Sequence, residues 1–345
     1  MSNHIKKYIP DTGRFFCHPD TFFKELLLRQ IISVERTQVM ARLKIWLNIL
    51  LSPYHLILFK INFESFKLNL INFNKTPPVL IYQMGKVGST AIYASLLKAR
   101  LPTLIYHVHF LSPGRIQEIE RYNSHLNDDS VSEMLKLDQM LHEKVLNHRQ
   151  DQWKIFTLAR EPIGYVISQL FQTIRRDHPE LLDANGQAAV DRIIDYLLGV
   201  FDNFNEETDY ASTWFDNELK QVFNVDVYTY PFNHNEGFTI IKEDNISVLV
   251  IRFEYLNRCF SRVVPSFLGL NKPIDLLNLN TGNSKWYASA YEYILNNIQI
   301  PKTVSERIYS TKYARHFYTE NMISGFINMW SGKSDIRTEH NLDLM

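Results

Sequence analysis

The sequence has little of what defines several common protein classes. It has only two cysteines in 345 residues, Cys17 and Cys259, so neither a disulfide framework nor a zinc site is indicated. Its 12 glycines and 13 prolines are too few for a collagen-like or low-complexity chain. The 37 basic and 37 acidic residues give a formal net charge of zero, whereas a protein that coats nucleic acid usually has a basic excess. We therefore expect neither nucleic acid as a partner nor a metal centre.

The sequence also lacks an apolar run long enough to span a membrane. Its most apolar stretch, residues 45–59, is shorter than the roughly 20 residues of a spanning helix and contains Pro53 and His55. This pattern predicts a buried helix pair broken at Pro53. Peripheral membrane contact is the alternative, because Lys44 and Lys60 flank the run. Since the N-terminus also lacks the pattern of an export signal, we expect a cytoplasmic protein with at most peripheral contact with the inner face of the membrane.

The sequence does contain enough apolar material for a large core. Hydrophobic residues make up 45% of the chain and aromatic residues 13%, which excludes disorder as the main state. Pro77 and Pro78 end a polar, asparagine-rich stretch and mark a boundary. We predict an N-terminal helical extension over residues 1–75 and an α/β domain over residues 76–345.

Short apolar runs alternate with helical patterns beyond this boundary. Five runs predict strands, at residues 79–82, 103–110, 154–159, 226–230 and 247–253. Three helical patterns lie between them, at residues 130–147, 162–176 and 188–204. Such alternation predicts a parallel β-sheet flanked by helices and joined by right-handed connections.

The first candidate site follows the strand at residues 79–82 and opens the next helix. It comprises five consecutive residues, Lys86, Val87, Gly88, Ser89 and Thr90. Backbone N–H groups at a glycine-bearing turn and the dipole of the helix attract anions, and the lysine and hydroxyl groups add further ligands. The pattern predicts a phosphate-binding loop, with an ordinary strand-to-helix turn as the alternative.

A nucleoside-triphosphate loop has a different residue order. In G-x-x-x-x-G-K-[ST] the lysine follows the second glycine, and a magnesium-binding hydroxyl follows the lysine. Here Lys86 precedes Gly88, and the late strand at residues 247–253 runs into Glu254 rather than into an aspartate. A P-loop nucleotide-dependent kinase is therefore the second interpretation.

The order K-x-G-S-T resembles the 5′-phosphosulfate-binding loop of sulfotransferases that use 3′-phosphoadenosine-5′-phosphosulfate (PAPS). Gly85 stands where that family often has proline. The resemblance implies the P-loop-like parallel sheet of the sulfotransferase fold and PAPS as the cofactor. Sulfuryl transfer is an in-line displacement, and we expect Lys86 to stabilise the charge that develops on the leaving oxygen.

The same family holds the 3′-phosphate of its cofactor with an arginine at the end of a later strand and a serine two helical turns on. Arg160 follows the predicted strand at residues 154–159, and Ser168 lies in the helix that Pro162 begins. Arginine offers a planar fork that matches phosphate oxygens. Alone, this pattern suits a surface ion pair equally well. After a K-x-G-S-T loop, the resemblance implies a 3′-phosphate site.

Two histidines are candidates for the base that removes the proton of the acceptor hydroxyl. His107 and His109 alternate along a predicted strand and therefore share a face of the sheet, and histidine accepts protons near neutral pH. The segment Tyr106-His107-Val108-His109 resembles the Tyr-His-x-His strand of glycosaminoglycan 2-O-sulfotransferases, in which histidine is implicated in base catalysis. We prefer His107 as the base, with His109 orienting it or the substrate. Two partly buried structural histidines are the alternative.

A late polar segment carries a weaker signal. Because a late loop closes over the cofactor in the sulfotransferase family, we expect Asn283, Ser284 and Lys285 to do so here, with a plain loop as the alternative. Lys285-Trp286-Tyr287 also resembles the signature of a bacterial family of capsular polysaccharide synthesis proteins named for Asn-Lys-Trp-Tyr-Ser, although Ser284 separates Asn283 from the lysine. This resemblance implies a carbohydrate acceptor in a capsule or other surface polysaccharide.

Together these patterns predict a sulfotransferase that moves a sulfuryl group from PAPS to a carbohydrate hydroxyl without a metal ion. Glu161 and Glu254 are lesser candidates for the base. A P-loop nucleotide-dependent kinase and a non-catalytic glycan-assembly protein of the same fold are the alternatives.

Overall fold

A computed structural model describes residues 78–126, 129–147, 152–277 and 285–332. The predicted helical extension, its candidate membrane contact at residues 45–59, and the predicted cofactor ligands Asn283 and Ser284 lie outside these ranges. No helix within the ranges is both long enough and apolar enough to cross a bilayer.

Within the described residues, the core is a mostly parallel five-stranded sheet. Its strands are β1 Val79–Tyr82, β2 Ile105–Val108, β3 Trp153–Ala159, β4 Phe238–Glu243 and β5 Ile246–Arg252. Their order across the sheet is β2-β1-β3-β5-β4, and of these strands only β4 is antiparallel to its neighbour. All four residues of β1 are apolar and buried, as expected for a central strand that is covered on both faces.

Helices cover both faces of the sheet. They are α1 Ser89–Lys98, α2 Pro113–Leu126, α3 Asp129–Asn147, α4 Pro162–Asp177, α5 Val190–Asp202, α6 Tyr210–Trp214, α7 Gln221–Phe223, α8 Leu256–Leu268, α9 Ala288–Asn297, α10 Lys302–Tyr309, α11 Lys312–Phe317 and α12 Glu320–Trp330. Ile81 of β1 is in register with Phe156 of β3, so Tyr82 points to the opposite face. Tyr82 contacts Trp214 of α6, whereas Phe156 contacts Phe267 of α8.

A second apolar cluster joins α4 to a layer of helices away from the sheet. Its members include one buried residue from each of five helices, Ile167, Leu197, Ile294, Ile308 and Trp330. Helix α4 also contributes Tyr165 to the cluster that contains the strands. Because α4 is packed on both sides, the residues on its surface are held in fixed positions relative to the strand ends.

The chain leaves β1 and β3 in opposite directions. Through α1, β1 connects to β2 on one side, whereas β3 leads to β4 and β5 on the other. Since β1 and β3 are neighbours, this topology predicts a crevice beyond their carboxyl ends, which is where open α/β sheets bind ligands. The segment with Lys86 follows β1, and Arg160 follows β3.

Most of the predicted elements are confirmed, but two features require correction. The strand predicted at residues 226–230 is wrong, because Val227–Thr229 forms a 3-10 turn. The carboxylate of Asp226 accepts a hydrogen bond of 3.1 Å from the backbone N–H of Tyr228, and this local cap competes with strand formation. The sheet is also not wholly parallel, since β4 forms a hairpin with β5 around Asp244, which has φ 45°. The other four strands and three helices predicted lie within two residues of their observed bounds.

Candidate functional site

The loop after β1 has the backbone shape of an anion-binding turn. Lys86 has φ 64° and Gly88 has φ 83°, both in the left-handed region, and Ser89 begins α1 in right-handed helical conformation. A left-handed residue followed by a right-handed one turns successive N–H groups toward one side and forms an anion-binding concavity. Positive φ is uncommon for a residue with a side chain, and strained backbone of this kind clusters at ligand sites.

Gly88 is required by its contacts as well as by its φ angle. A Cβ atom at this position would lie 3.1 Å from Cδ2 of Leu256 and 3.2 Å from Cε2 of Phe253. Both neighbours lie at the end of β5 and the start of α8. The loop therefore rests directly on the carboxyl edge of the sheet, which fixes its distance from the ends of β3 and β5.

Arg160 contacts this loop. Its Nη1 donates a 2.6 Å hydrogen bond to the backbone carbonyl of Lys86, and the guanidinium lies over the ring of Phe253, 4.4 Å from the centroid. The hydroxyl of Tyr313 accepts from the backbone N–H of Arg160 at 2.7 Å and donates to its carbonyl at 2.9 Å. Arg160 is 8% exposed, so it is buried rather than part of a surface ion pair. The two predicted anion sites thus lie side by side.

Two buried carboxyl groups hold the segment that contains Arg160. Glu161 accepts hydrogen bonds of 2.8 and 2.6 Å from two backbone N–H groups in the first turn of α4 and a further one from the hydroxyl of Tyr309. The backbone N–H of Glu161 donates to Glu254 at 2.8 Å, and Tyr318 donates to Glu254 at 3.2 Å. Burial raises the pKa of Glu161 to about 7 and also raises the pKa of Glu254. Because these contacts cap α4 and join it to β5, both carboxyl groups have a structural explanation.

The histidine pair lies next to the loop. The rings of His107 and His109 are 4.7 Å apart between centroids, as expected for residues on one face. His107 also contacts Tyr93 of α1. Nδ1 of His109 is 2.7 Å from the backbone carbonyl oxygen of Gln83. A carbonyl oxygen only accepts, so Nδ1 carries the proton of this bond and Nε2 has the lone pair. Burial is the main cause that lowers the pKa of His109, and the positive charge of Lys86 acts in the same direction, which favours a neutral ring.

Ser168 and Lys285 lie along one side of α4. Ser168 is half-buried and, three residues before Phe171, shares its face of the helix. Phe171 contacts Tyr287, with ring centroids 5.2 Å apart, and Nζ of Lys285 lies 5.6 Å from the centroid of the Tyr287 ring. Burial lowers the pKa of Lys285. The segment that begins at Lys285 therefore follows the Ser168 face, toward the C-terminal half of α4.

Sequence reasoning missed the tyrosines that support Arg160. Tyr309, Tyr313 and Tyr318 are each no more than 1% exposed. Tyr309 and Tyr313 contact Glu161 and Arg160 from 148 and 153 residues further along the chain, and Tyr318 contacts Glu254 from 64 residues further along. The signal for them in the sequence is the spacing of tyrosines in residues 309–318, which is close to one helical turn.

The structure offers no arrangement of three or more His, Cys, Asp or Glu side chains suited to a metal ion in the ranges that it describes.

Comparison with known protein families gives one match. The model of the NKWYS family, described as "putative capsular polysaccharide synthesis protein", matches residues 187–319. No curated protein and no solved structure matches the chain significantly. The matched region runs from just before α5 to just before α12 and includes Glu254 and Lys285. The loop with Lys86, the histidine pair and Arg160 lie outside it. The resemblance to this family, first indicated by Lys285-Trp286-Tyr287, is confirmed over the matched residues.

Proposed function

We propose that the protein transfers a sulfuryl group from PAPS to a hydroxyl group of a carbohydrate. The observation that carries this proposal is the hydrogen bond from Arg160 to the carbonyl of Lys86. This bond joins the lysine-bearing loop to a buried arginine at the carboxyl ends of β1 and β3, where the chain connections leave in opposite directions. A nucleotide with phosphate groups at both its 3′ and 5′ positions needs two such anion sites close together.

The residues around the crevice suit such a nucleotide. The loop presents backbone N–H groups, and Ser89 and Thr90 add hydroxyls at the start of α1. Gly88 has no Cβ, which lets a ligand approach the backbone closely. One N–H group of Arg160 bonds to the protein, so its planar fork retains donors for a 3′-phosphate. Ser168, and Lys285 on the same side of α4, would complete that end.

Sulfuryl transfer needs two groups, a cation that stabilises the leaving oxygen and a base that accepts the proton of the acceptor hydroxyl. When bound, PAPS supplies the sulfuryl group. Lys86 would stabilise negative charge on the leaving oxygen, and Nε2 of His109 would accept the proton of the acceptor hydroxyl. The hydrogen bond to Gln83 fixes the ring of His109 with Nε2 unprotonated. We therefore favour His109 as the base and His107 as the residue that supports it, the reverse of the order preferred from the sequence.

The family match supports a carbohydrate acceptor. Residues 187–319 match a family described by capsular polysaccharide synthesis, and this region contributes the helices that face α4 from the side away from the sheet. In the proposal, the matched region receives the polysaccharide while the preceding residues bind the nucleotide.

Binding of adenosine 3′,5′-bisphosphate, the nucleotide product, tests the proposal. Without magnesium, this nucleotide at 100 times its Kd should stabilise the folded chain by about 2.7 kcal/mol, a rise of several degrees in thermal midpoint. The control is 5′-AMP, which lacks the 3′-phosphate and should give a smaller rise. A response to Mg-ATP alone would refute the proposal in favour of a kinase. Tight binding of the bisphosphate with no transfer to any glycan would favour a non-catalytic glycan-assembly protein.

Substitution of His109 by asparagine should lower the transfer rate by about 10²- to 10⁴-fold, the usual contribution of a general base. The asparagine amide can still donate to the Gln83 carbonyl, so the Kd for the nucleotide should stay within about twofold of wild type. In the wild type, the acidic limb of the rate profile should lie below pH 6.5, because the pKa of His109 is lowered. Transfer of labelled sulfate across a pH series measures both. If His107→Asn loses all transfer while His109→Asn stays fully active, the base is His107 and the assignment to His109 is wrong.

A further inference from the structure

Helix α4 contacts the segment 285–287 at two places along its length. Phe171 contacts the ring of Tyr287, and Arg175 lies one helical turn further on. The guanidinium carbon of Arg175 is 3.6 Å from the centroid of the Trp286 ring. A cation this close to an indole ring is attracted to the negative charge of its face. This contact, the Arg175–Trp286 stack, joins the C-terminal half of α4 to the residue next to Lys285.

The guanidinium of Arg175 is also bonded to the turn that precedes α5. Its Nη2 donates a long hydrogen bond of 3.4 Å to the backbone carbonyl of Gly186. The turn is closed by the carboxylate of Asp183, which accepts bonds of 2.8 and 2.9 Å from the backbone N–H groups of Asn185 and Gln187. Arg175 is exposed, but these contacts restrain it between two distant parts of the chain.

The neighbouring Arg176 makes a different kind of contact. It is exposed as well, and it forms two hydrogen bonds, of 2.7 and 2.9 Å, with the carboxylate of Asp177 beside it. The two arginines therefore carry the same charge at the same end of α4, but of the two it is Arg175 that stacks on Trp286. Arg176 is for this reason a closely matched reference for Arg175.

Lys285 depends on the position of this segment. The lysine is half-buried, and burial lowers its pKa, because water favours the charged form of the ammonium group. Its backbone carbonyl accepts a 2.9 Å hydrogen bond from the N–H of Ala288, so Lys285 is part of the turn that opens α9. A contact that fixes Trp286 in this turn also fixes the backbone of Lys285 and opposes movement of the ammonium group into water.

We propose that the Arg175–Trp286 stack positions Lys285 for the 3′-phosphate of the nucleotide, which makes Arg175 a positioning residue. This inference rests on the proposed function, in which Ser168 and Lys285 bind that phosphate. Arg175 lies seven residues after Ser168, which is two helical turns and about 10 Å along the same side of α4. Arg175 therefore acts through Lys285 and not on the phosphate itself. The stack also joins α4 to the region that matches the capsular polysaccharide family, since Trp286 belongs to that region.

Calorimetry on the full-length chain tests this role with two nucleotides. Arg175→Ala should weaken binding of adenosine 3′,5′-bisphosphate by about two- to fivefold, the effect of losing an exposed cation–π contact. Trp286→Leu removes the same stack from its other side and should weaken binding at least as much. Affinity for 5′-AMP, which has no 3′-phosphate, should not change in either variant. Arg176→Ala is the matched control and should keep the wild-type affinity for both nucleotides.

A double-mutant cycle with Lys285→Ala shows whether Arg175 acts through the lysine. Lys285→Ala alone should weaken binding of the bisphosphate by about tenfold or more, as expected for a charged hydrogen-bond donor. Adding Arg175→Ala to this variant should weaken binding no further. An equal further loss in the Lys285→Ala chain, or an equal loss of 5′-AMP affinity in Arg175→Ala, would overturn the inference, because Arg175 would then act independently of Lys285.

Brief digestion with trypsin provides a measurement that does not depend on the nucleotide. Cleavage of a folded chain follows the population of its locally open form, so cleavage after Lys285, followed by mass spectrometry, should be faster in Arg175→Ala by about the same factor and unchanged in Arg176→Ala. Wild-type cleavage together with wild-type nucleotide affinity in Arg175→Ala would overturn the inference and leave the proposed function intact. If the wild type binds no bisphosphate, the proposed function is refuted, whereas faster cleavage in Arg175→Ala alone would still support the stack as the contact that holds Lys285.

Discussion

Replacing Arg160 by alanine is expected to weaken binding of adenosine 3′,5′-bisphosphate by two to three orders of magnitude. The guanidinium is buried between the carbonyl of Lys86 and the ring of Phe253, so its charge is poorly screened by water. Removing one partner of a buried, hydrogen-bonded charge pair costs about 2–5 kcal/mol, and each 1.4 kcal/mol is a factor of about ten in Kd. Isothermal titration calorimetry at constant salt measures the change.

Two further variants distinguish a loss of nucleotide binding by Arg160 from a general loss of folded protein. Arg262→Ala removes an arginine whose side chain is 62% exposed and paired with Glu236, and it should leave the nucleotide affinity unchanged. Arg160→Lys retains the charge but loses the fork that binds two oxygens, so its affinity should fall between those of Arg160→Ala and wild type. A folded Arg160→Ala with wild-type affinity would show that Arg160 does not bind the 3′-phosphate, and the proposed function would lose its main support.

The central architecture could be predicted because its signals are local. The apolar run at Val79–Tyr82 and the proline at the first position of α4 each mark an element by themselves. The edge strand β4 was missed because its six residues are mostly half-buried or exposed and do not alternate cleanly. The better signal was the two-residue turn at Asp244 between two β-branched runs, which is typical of a hairpin.

Part of the candidate site could also be predicted from the sequence. Parallel strands end at the same edge of a sheet, so a loop after β1 and an arginine after β3 are expected to be close. The partners that hold the loop and the arginine in these positions could not be predicted from the sequence. Tyr313 brackets the backbone of Arg160, and Gln83 fixes the tautomer of His109. Such contacts depend on tertiary arrangement, which short-range patterns in the sequence do not record.

The stability of the protein is expected to decrease as the pH rises from about 5 to 8. Burial raises the pKa of four carboxyl groups in the folded state, those of Asp138, Glu161, Glu218 and Glu254. Between the unfolded and folded pKa values, the folded chain therefore binds more protons than the unfolded chain. The free energy of unfolding must then fall with rising pH over that interval. This stabilisation is complete below the unfolded pKa and is lost as the pH rises through the folded pKa.

Glu161 allows a direct test, because its pKa rises from about 4.5 to about 7. At about 1.4 kcal/mol per unit, the shift corresponds to about 3 kcal/mol of stability lost between pH 4.5 and pH 7. Glu161→Gln removes this titration and one of the two caps on α4, at a cost of about 1 kcal/mol. The variant should be the less stable protein at pH 5 and the more stable one at pH 8, as measured by urea unfolding.

The matched control is Glu236→Gln, which changes an exposed carboxylate paired with Arg262 and should keep the wild-type pH dependence. Parallel curves for Glu161→Gln and wild type would mean that Glu161 is charged throughout this range, held so by its backbone caps and Tyr309. In that case, the start of α4 would present a fixed negative charge beside Arg160, and that charge would oppose the phosphate that the proposed function assigns to the same arginine.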